Sequence, residues 1–261
     1  MVRRWCLPVA AFALVCGAVS GAGLPASAAS VAGPQAVQPG GVARQVSPVF
    51  GAHGLVDATS TNWSGYASDG GVGQDTEVSA DWTEPTGSCS SGDQYSSFWV
   101  GLDGYDSNSV EQTGSEVDCV GSQPSYYAWW EMYPGASHDF DNPVEPGDQF
   151  SASVTTNQYG SFTLYIRDST EGWSHTVHAR LTSADISSAE IIVEAPCCTQ
   201  SGGILPLADF GTVHVTNAEI NGAPLVEDGA TRIVMKAGST QKDSVTQISD
   251  GGSFSATWLH R

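Results

Sequence analysis

In a chain of 261 residues, 28 Asp and Glu stand against 9 Lys and Arg, a formal net charge of −19. Phosphate backbones are bound by clustered cations, so this composition excludes a backbone-reading nucleic-acid binder. With 40% hydrophobic residues and eight each of Trp, Tyr and Phe, the chain can build a core, and one large all-β domain fits its length.

The first residues read as a secretory signal, residues 1–28. Arg3 and Arg4 form a positive start, Leu7 to Val19 is apolar, and Ala26-Ser27-Ala28 is a small-x-small cleavage site. The protein is therefore expected outside the cell. The apolar run is too short to span a bilayer, and no other approaches the ~20 residues required, so no membrane partner is expected. Removing the signal leaves 7 basic and 28 acidic residues, a charge of −21. Residues 29–57 are rich in Ala, Val, Gly, Pro and Gln and read as a propeptide or flexible leader. Residues 58–261 form the folded domain.

From Thr61 onward, short alternating runs are separated by Gly, Asp, Ser and Pro. Period-two alternation is the strand signal. It marks Glu77–Trp82, Ser97–Asp103, Tyr126–Tyr133, Gln149–Thr156, Ser161–Arg167 and Gly172–Leu181. It continues through Glu190–Ala195, Thr212–Asn217, Thr231–Lys236 and Ser253–His260. Turn pairs such as Asp103-Gly104, Asn221-Gly222 and Asp250-Gly251 punctuate these runs. No amphipathic helix of useful length is present. The pattern predicts an all-β sandwich or barrel.

Four cysteines remain after signal removal: Cys89, Cys119, Cys197 and Cys198. An even count in a secreted chain predicts two disulfides, with three possible connectivities. We favour Cys89–Cys119 and a vicinal Cys197–Cys198. A four-thiolate zinc site lacks its two C-x2-C knuckles, so no metal is expected.

The usual catalytic signatures are missing: no G-x-S-x-G, no H-E-x-x-H, no Walker or Rossmann glycines. His175 and His178 lie three apart, on opposite faces of a strand, and cannot share a metal. Asp139 and Asp141 read as a solvated turn in preference to a calcium site, and Asn62-Trp63-Ser64 is a formal glycosylation sequon. The remaining signal is acidic and polar residues set into aromatic strands. Glu131 shares a face with Trp129 and Tyr133; Glu190 and Glu194 share a face; Gln112 follows Glu111. Carboxyls buried among apolar groups have raised pKa values and can serve as acids or bases at mildly acidic pH, although most strand glutamates simply face solvent.

Five ordered segments resemble the glutamic peptidases (eqolisins). They are Asn62-Trp63-Ser64-Gly65-Tyr66-Ala67, Ser97-Phe98-Trp99-Val100-Gly101-Leu102-Asp103-Gly104, Glu111-Gln112-Thr113-Gly114, Tyr127-Ala128-Trp129-Trp130-Glu131-Met132-Tyr133-Pro134 and Ala189-Glu190-Ile191-Ile192-Val193-Glu194. The resemblance covers roughly residues 60 to 258. It implies a sandwich of two curved antiparallel sheets, concanavalin- or jelly-roll-like, and a monomeric acid endopeptidase acting on protein or peptide substrates without cofactor or metal. It implies Gln112 and Glu194 as the catalytic pair, with Trp99, Asp103, Glu131, Trp129 and Tyr133 binding substrate or supporting the pair. Two departures stand out. Tyr127 occupies a position where fungal members have an acid, and the leader is shorter than a fungal propeptide.

Peptide hydrolysis without metal or nucleophile needs an activated water, an oxyanion donor and a proton for the leaving amine; a Glu and a Gln supply all three. A glycan-binding or glycan-hydrolysing sandwich is the alternative, and a glycosidase would want two catalytic carboxyls. The charge imbalance itself fits an acidic milieu, where protonated carboxyls no longer repel one another.

Overall fold

The computed structural model describes residues 47–50, 56–90, 92–197, 203–249 and 251–261. The expected signal segment and most of the expected leader lie outside these residues.

The described strands, in chain order, begin with β1 (Ser47–Phe50), β2 (Val56–Ser60), β3 (Trp63–Ser68), β4 (Glu77–Thr83), β5 (Gln94–Leu102) and β6 (Val110–Val120). Next come β7 (Gln123–Tyr133), β8 (His138–Asp139), β9 (Gln149–Thr156), β10 (Ser161–Asp168), β11 (Trp173–Arg180) and β12 (Ala189–Glu194). After β13 (Thr212–Ile220) and β14 (Ala223–Pro224), one helical turn, α1 (Leu225–Asp228), interrupts the pattern. The chain ends with β15 (Thr231–Ala237), β16 (Thr240–Gln241), β17 (Asp243–Val245) and β18 (Phe254–Trp258).

They build two sheets. The ten-stranded sheet runs β1-β2-β15-β3-β12-β5-β6-β7-β8, with β16 on β15; the eight-stranded sheet runs β11-β10-β9-β4-β13-β18-β17, with β14 on β13. All pairings among these strands are antiparallel except β15 with β2. The all-β, two-sheet architecture expected from the sequence is present. The turn at Asn221-Gly222 joins β13 to β14 with both residues at positive φ, 54° and 74°, the conformation that Asn-Gly hairpins favour.

The core lies between the sheets. Phe98, Val100 and Leu102 of β5 and Ile191 and Val193 of β12 belong to the same buried cluster as Trp82, Phe150, Leu164 and Ile166 of the facing sheet. Strands of the eight-stranded sheet alternate cleanly: β10 reads half-buried, buried, half-buried through most of its length, as does β9 after its first residue. Such strands have one wet face, which explains why the sequence pattern found them. In contrast, β3 and β12 are buried throughout and β6 along all but its last residue. Both faces of these strands are covered, and the outward face of β6 is polar.

The connection from β4 to β5 crosses between sheets, and the disulfide Cys89–Cys119 ties it to the end of β6, with Cα atoms 5.3 Å apart. Cys197 is also disulfide-bonded; Cys198, its expected partner, lies outside the described residues. Replacing Cys89 and Cys119 together by Ser should lower stability by roughly 3–4 kcal/mol in the chain-entropy model. Denaturant unfolding of the double variant checks this; an unchanged midpoint would refute it.

Candidate active site

The outward face of the ten-stranded sheet is built from rows of opposed residues, and the strand registers set them. One row is Glu190, Gly101, Gln112 and Glu131 across β12, β5, β6 and β7. The next is Ile192, Trp99, Gly114 and Trp129, with Asp139 of β8 beyond. The third is Glu194, Ser97, Glu116 and Tyr127. Alternate side chains of a strand share a face, so all three rows point away from the intersheet core.

Two glycines open this face. A Cβ on Gly114 would collide with the Phe98 carbonyl oxygen and would come within 2.6 Å of the Trp99 Cβ. A Cβ on Gly101 would lie 2.9 Å from the Trp99 ring. The Trp99 indole therefore lies across the middle row, over ground that only glycine leaves clear. From there its Nε1 donates to Glu194 Oε2 at 2.9 Å. The Asn62 side-chain amide donates to Glu194 Oε1 at 3.2 Å. Trp63 packs edge-on against Trp99, with centroids 5.0 Å apart at 77°. Trp129 joins them in a second buried aromatic cluster, against which Tyr105, Tyr127 and Tyr133 pack.

Gln112 is held from the other side. Its Nε2 donates to Glu131 Oε2 at 2.7 Å. A carboxyl oxygen that accepts fixes the amide with its nitrogen toward Glu131. One N–H and Gln112 Oε1, a buried atom without a hydrogen-bond partner, then remain for other chemistry. Burial first, and the nearby charge of Glu194 second, push Glu131 up to about 9, against the hydrogen bond from Gln112. Glu131 is thus a neutral acid through the acidic and neutral range. Gln112, Glu131, Glu194, Trp99 and Trp129 are all buried, none more than 1% exposed.

The remaining expected residues fall as follows. Tyr133 is half-buried and opposes Val110. Asp103 adopts φ 67° at the end of β5, and its hydrogen bonds go elsewhere than to Gln112 or Glu194. Its carboxylate accepts from the backbone N–H of Ile186 and of Ser187, each at 2.8 Å, and from the Ser109 hydroxyl. It pins the segment that leads into β12. His175 and His178 do lie on opposite faces: His175 bonds Asn142 at 2.6 Å, and exposed His178 meets Thr163 at 3.2 Å.

Sequence reasoning passed over three residues of this face. Asn62 stood in the first family-like segment and in a sequon without a role of its own, yet it is buried and bonded to Glu194, which removes it from any glycosylation machinery in the folded state. Ser97 and Glu116, both buried, complete the row of Glu194. An opposed acid and hydroxyl on neighbouring strands leave no trace in a one-dimensional pattern.

The Peptidase A4 family model matches residues 61–258, which include every residue of the three rows. Aspergillopepsin-2 of Aspergillus niger is 35% identical over 130 residues, 47% of this chain and 45% of the relative, so the match spans about half the length of that curated protein. The crystal structure of scytalido-glutamic peptidase with a transition state analog inhibitor superposes with a TM-score of 0.66 at 24% identity, covering 76% of this chain and 98% of that one. Aspergilloglutamic peptidase from Aspergillus niger gives 0.55 at 26% identity, covering 64% and 99%.

Proposed function

Because the chain belongs to the Peptidase A4 family, we propose that it is a secreted endopeptidase in which Glu194 activates water and Gln112 stabilises the oxyanion. The observation that supports this most is the pair of opposed clamps. Asn62 and Trp99 fix both oxygens of Glu194, while Glu131 fixes Gln112 by its nitrogen.

The steps follow from those atoms. The Glu194 carboxylate takes a proton from water as the water oxygen attacks the scissile carbonyl carbon. Gln112 Oε1 accepts from the same water, and the free Gln112 N–H donates to the carbonyl oxygen as its charge grows. Protonated Glu194 then gives its proton to the leaving amine, the C–N bond breaks, and Glu194 returns to its starting state. Glu131 does not compete as a base, because its surroundings keep it protonated. Two carboxyls in one site with separated pKa values divide the labour between positioning and proton transfer.

Trp63, Trp99, Trp129 and Tyr133 supply apolar walls for substrate side chains. Since the pair is fully covered in this structure, a substrate must displace covering groups to reach it. Processing completes the proposal: residues 1–28 direct export, and 29–57 are a leader to the peptidase domain at 58–261, the end of that leader pairing with the domain's ten-stranded sheet through β1 and the start of β2. A monomer suffices, since one chain supplies both members of the pair.

The test is hydrolysis of denatured casein by the mature secreted protein from about pH 3 to 8, with and without a chelator. Activity on the acid side, indifferent to chelator, is the expected result. Loss with chelator that a divalent cation restores would overturn the metal-free reading. No hydrolysis at any pH would overturn the peptidase reading itself.

A further inference from the structure

A single bend underlies both donors to Glu194. β2 ends at Ser60, opposite Met235 of β15, and β3 begins at Trp63. In the bend between them the Ser60 hydroxyl oxygen accepts from the backbone N–H of Asn62 at 3.3 Å and from that of Trp63 at 3.1 Å. The same hydroxyl donates to Asn62 Oδ1 at 3.2 Å. A hydroxyl has two lone pairs and one proton, so its whole capacity is used here. Ser60 and Asn62 are buried, 2% and 0% exposed. With both lone pairs taken, Ser60 can face only an acceptor on the Asn62 amide. Oδ1 therefore turns to Ser60, and Nδ2 turns to Glu194 Oε1, 3.2 Å away. Trp63, whose backbone Ser60 holds, packs edge-on against Trp99, the donor to Glu194 Oε2. Ser60 has no part in the catalytic steps derived above.

We propose that Ser60 is a positioning residue for hydrolysis: its hydroxyl sets the Asn62 amide with nitrogen, not oxygen, toward Glu194, and so keeps Glu194 a carboxylate able to take a proton from water. The proposal rests on the reading of Glu194 as the base.

The two ends of a side-chain amide have nearly the same shape but opposite hydrogen-bonding character. With Nδ2 toward it, Glu194 gains a donor to its charged form, which favours the carboxylate. With Oδ1 toward it, two acceptors meet, and only a proton on Glu194 satisfies the contact. A protonated Glu194 cannot take a proton from water. The orientation of Asn62 thus decides how far into acid the base stays available. Six ionisable groups share the outward face with Glu194: Glu190 on its own strand, Tyr95 of β5, Glu116 and Asp118 of β6, and Tyr127 and Glu131 of β7. All are acids held above their ordinary values chiefly by burial. A change at Ser60 alters none of them, so their influence is common to every variant compared.

The test is kcat/KM against pH on a soluble peptide substrate, with the folded fraction read by circular dichroism at each pH. The mature protein is compared with Ser60→Ala, Ser60→Cys, Ser60→Thr, Asn62→Ala, the double variant Ser60→Ala with Asn62→Ala, and Glu194→Gln. The acid limb of the profile reports the base in the free enzyme. Ser60→Ala should move that limb up by about one pH unit, an about tenfold loss below it, and leave the plateau within about threefold. Ser60→Cys, close in volume but a weak donor, should move the limb the same way and serves if Ser60→Ala fails to fold. Ser60→Thr keeps the hydroxyl and should restore the limb. Asn62→Ala should also raise it, and adding Ser60→Ala to Asn62→Ala should move it no further, since Ser60 acts through that amide. If Ser60 only capped the bend, its loss would lower the melting temperature and leave the limb in place; that result would overturn the proposal. So would a further shift in the double variant. Glu194→Gln separates the two readings: if it is active, the base assignment fails; if it is inactive while the Ser60→Ala limb is unmoved, only the role of Ser60 fails.

Discussion

Glu194→Gln should lower kcat for peptide hydrolysis by roughly 10²–10⁴-fold, the range of a removed general base. Gln112→Ala should lower it by about 10²–10³-fold, the loss of one oxyanion donor, or ~3–4 kcal/mol. The double variant should be little worse than Glu194→Gln alone, because groups that act on one step are not additive. The structure also foresees a side effect. Glu194 accepts from both Asn62 and Trp99, and a glutamine offers only one acceptor oxygen. One buried donor then faces an NH₂ group, at a stability cost of about 1–3 kcal/mol. The assay must therefore accompany a melting curve. A folded Glu194→Gln with wild-type turnover would remove the base from the mechanism.

The second large effect concerns stability against pH. Glu84 is pushed up to about 8, Glu111 and Glu131 to about 9, and Asp243 to about 7, each chiefly by burial. Their ordinary values are 4.5 for Glu and 3.8 for Asp. Below those values both folded and unfolded chains hold the protons, and stability is unaffected. Above them the unfolded chain ionises while the folded one stays protonated. Each group then removes up to ~1.4 kcal/mol per pH unit, until the pH passes its folded value. Four such groups act together between about pH 5 and 7, against a typical total stability of about 5–15 kcal/mol. The melting temperature should therefore be highest in mild acid and fall steeply toward neutrality. Glu84→Gln, which replaces an acid that accepts from the Ser115 hydroxyl, should make that fall shallower. A maximum of stability at alkaline pH would contradict this account and, with it, the acidic milieu inferred from the charge of −19.

The same burial explains what could be read in advance. Strands with one wet face, such as β9 and β10, announced themselves by alternation, and β9 runs over the predicted residues, Gln149–Thr156. β6 did not. Its sequence, Val-Glu-Gln-Thr-Gly-Ser-Glu-Val-Asp-Cys-Val, is polar on the outward face and mixed on the core face, yet nearly all of it is buried. Periodicity reports a difference in wetness between two faces, and β6 has none. Gln112 and Glu116 were thus on a strand that pattern could not see, and only the motif around Gln112 marked it. Asp103 shows the converse: the motif drew attention to it, and the structure shows its carboxylate gathering the Ile186 and Ser187 backbone amides.

By itself the sequence determined the all-β class, the family resemblance and the acidic character, because alternation, ordered motifs and composition are properties of the chain in one dimension; four cysteines left three pairings open, and the structure shows Cys89–Cys119. Tertiary structure alone decided which groups meet. Pairing β12 with β5, β5 with β6 and β6 with β7 sets Glu194 in line with Glu116 across Ser97, and Gln112 against Glu131. Those registers are long-range, and a slip of one residue would turn every one of these side chains to the other face.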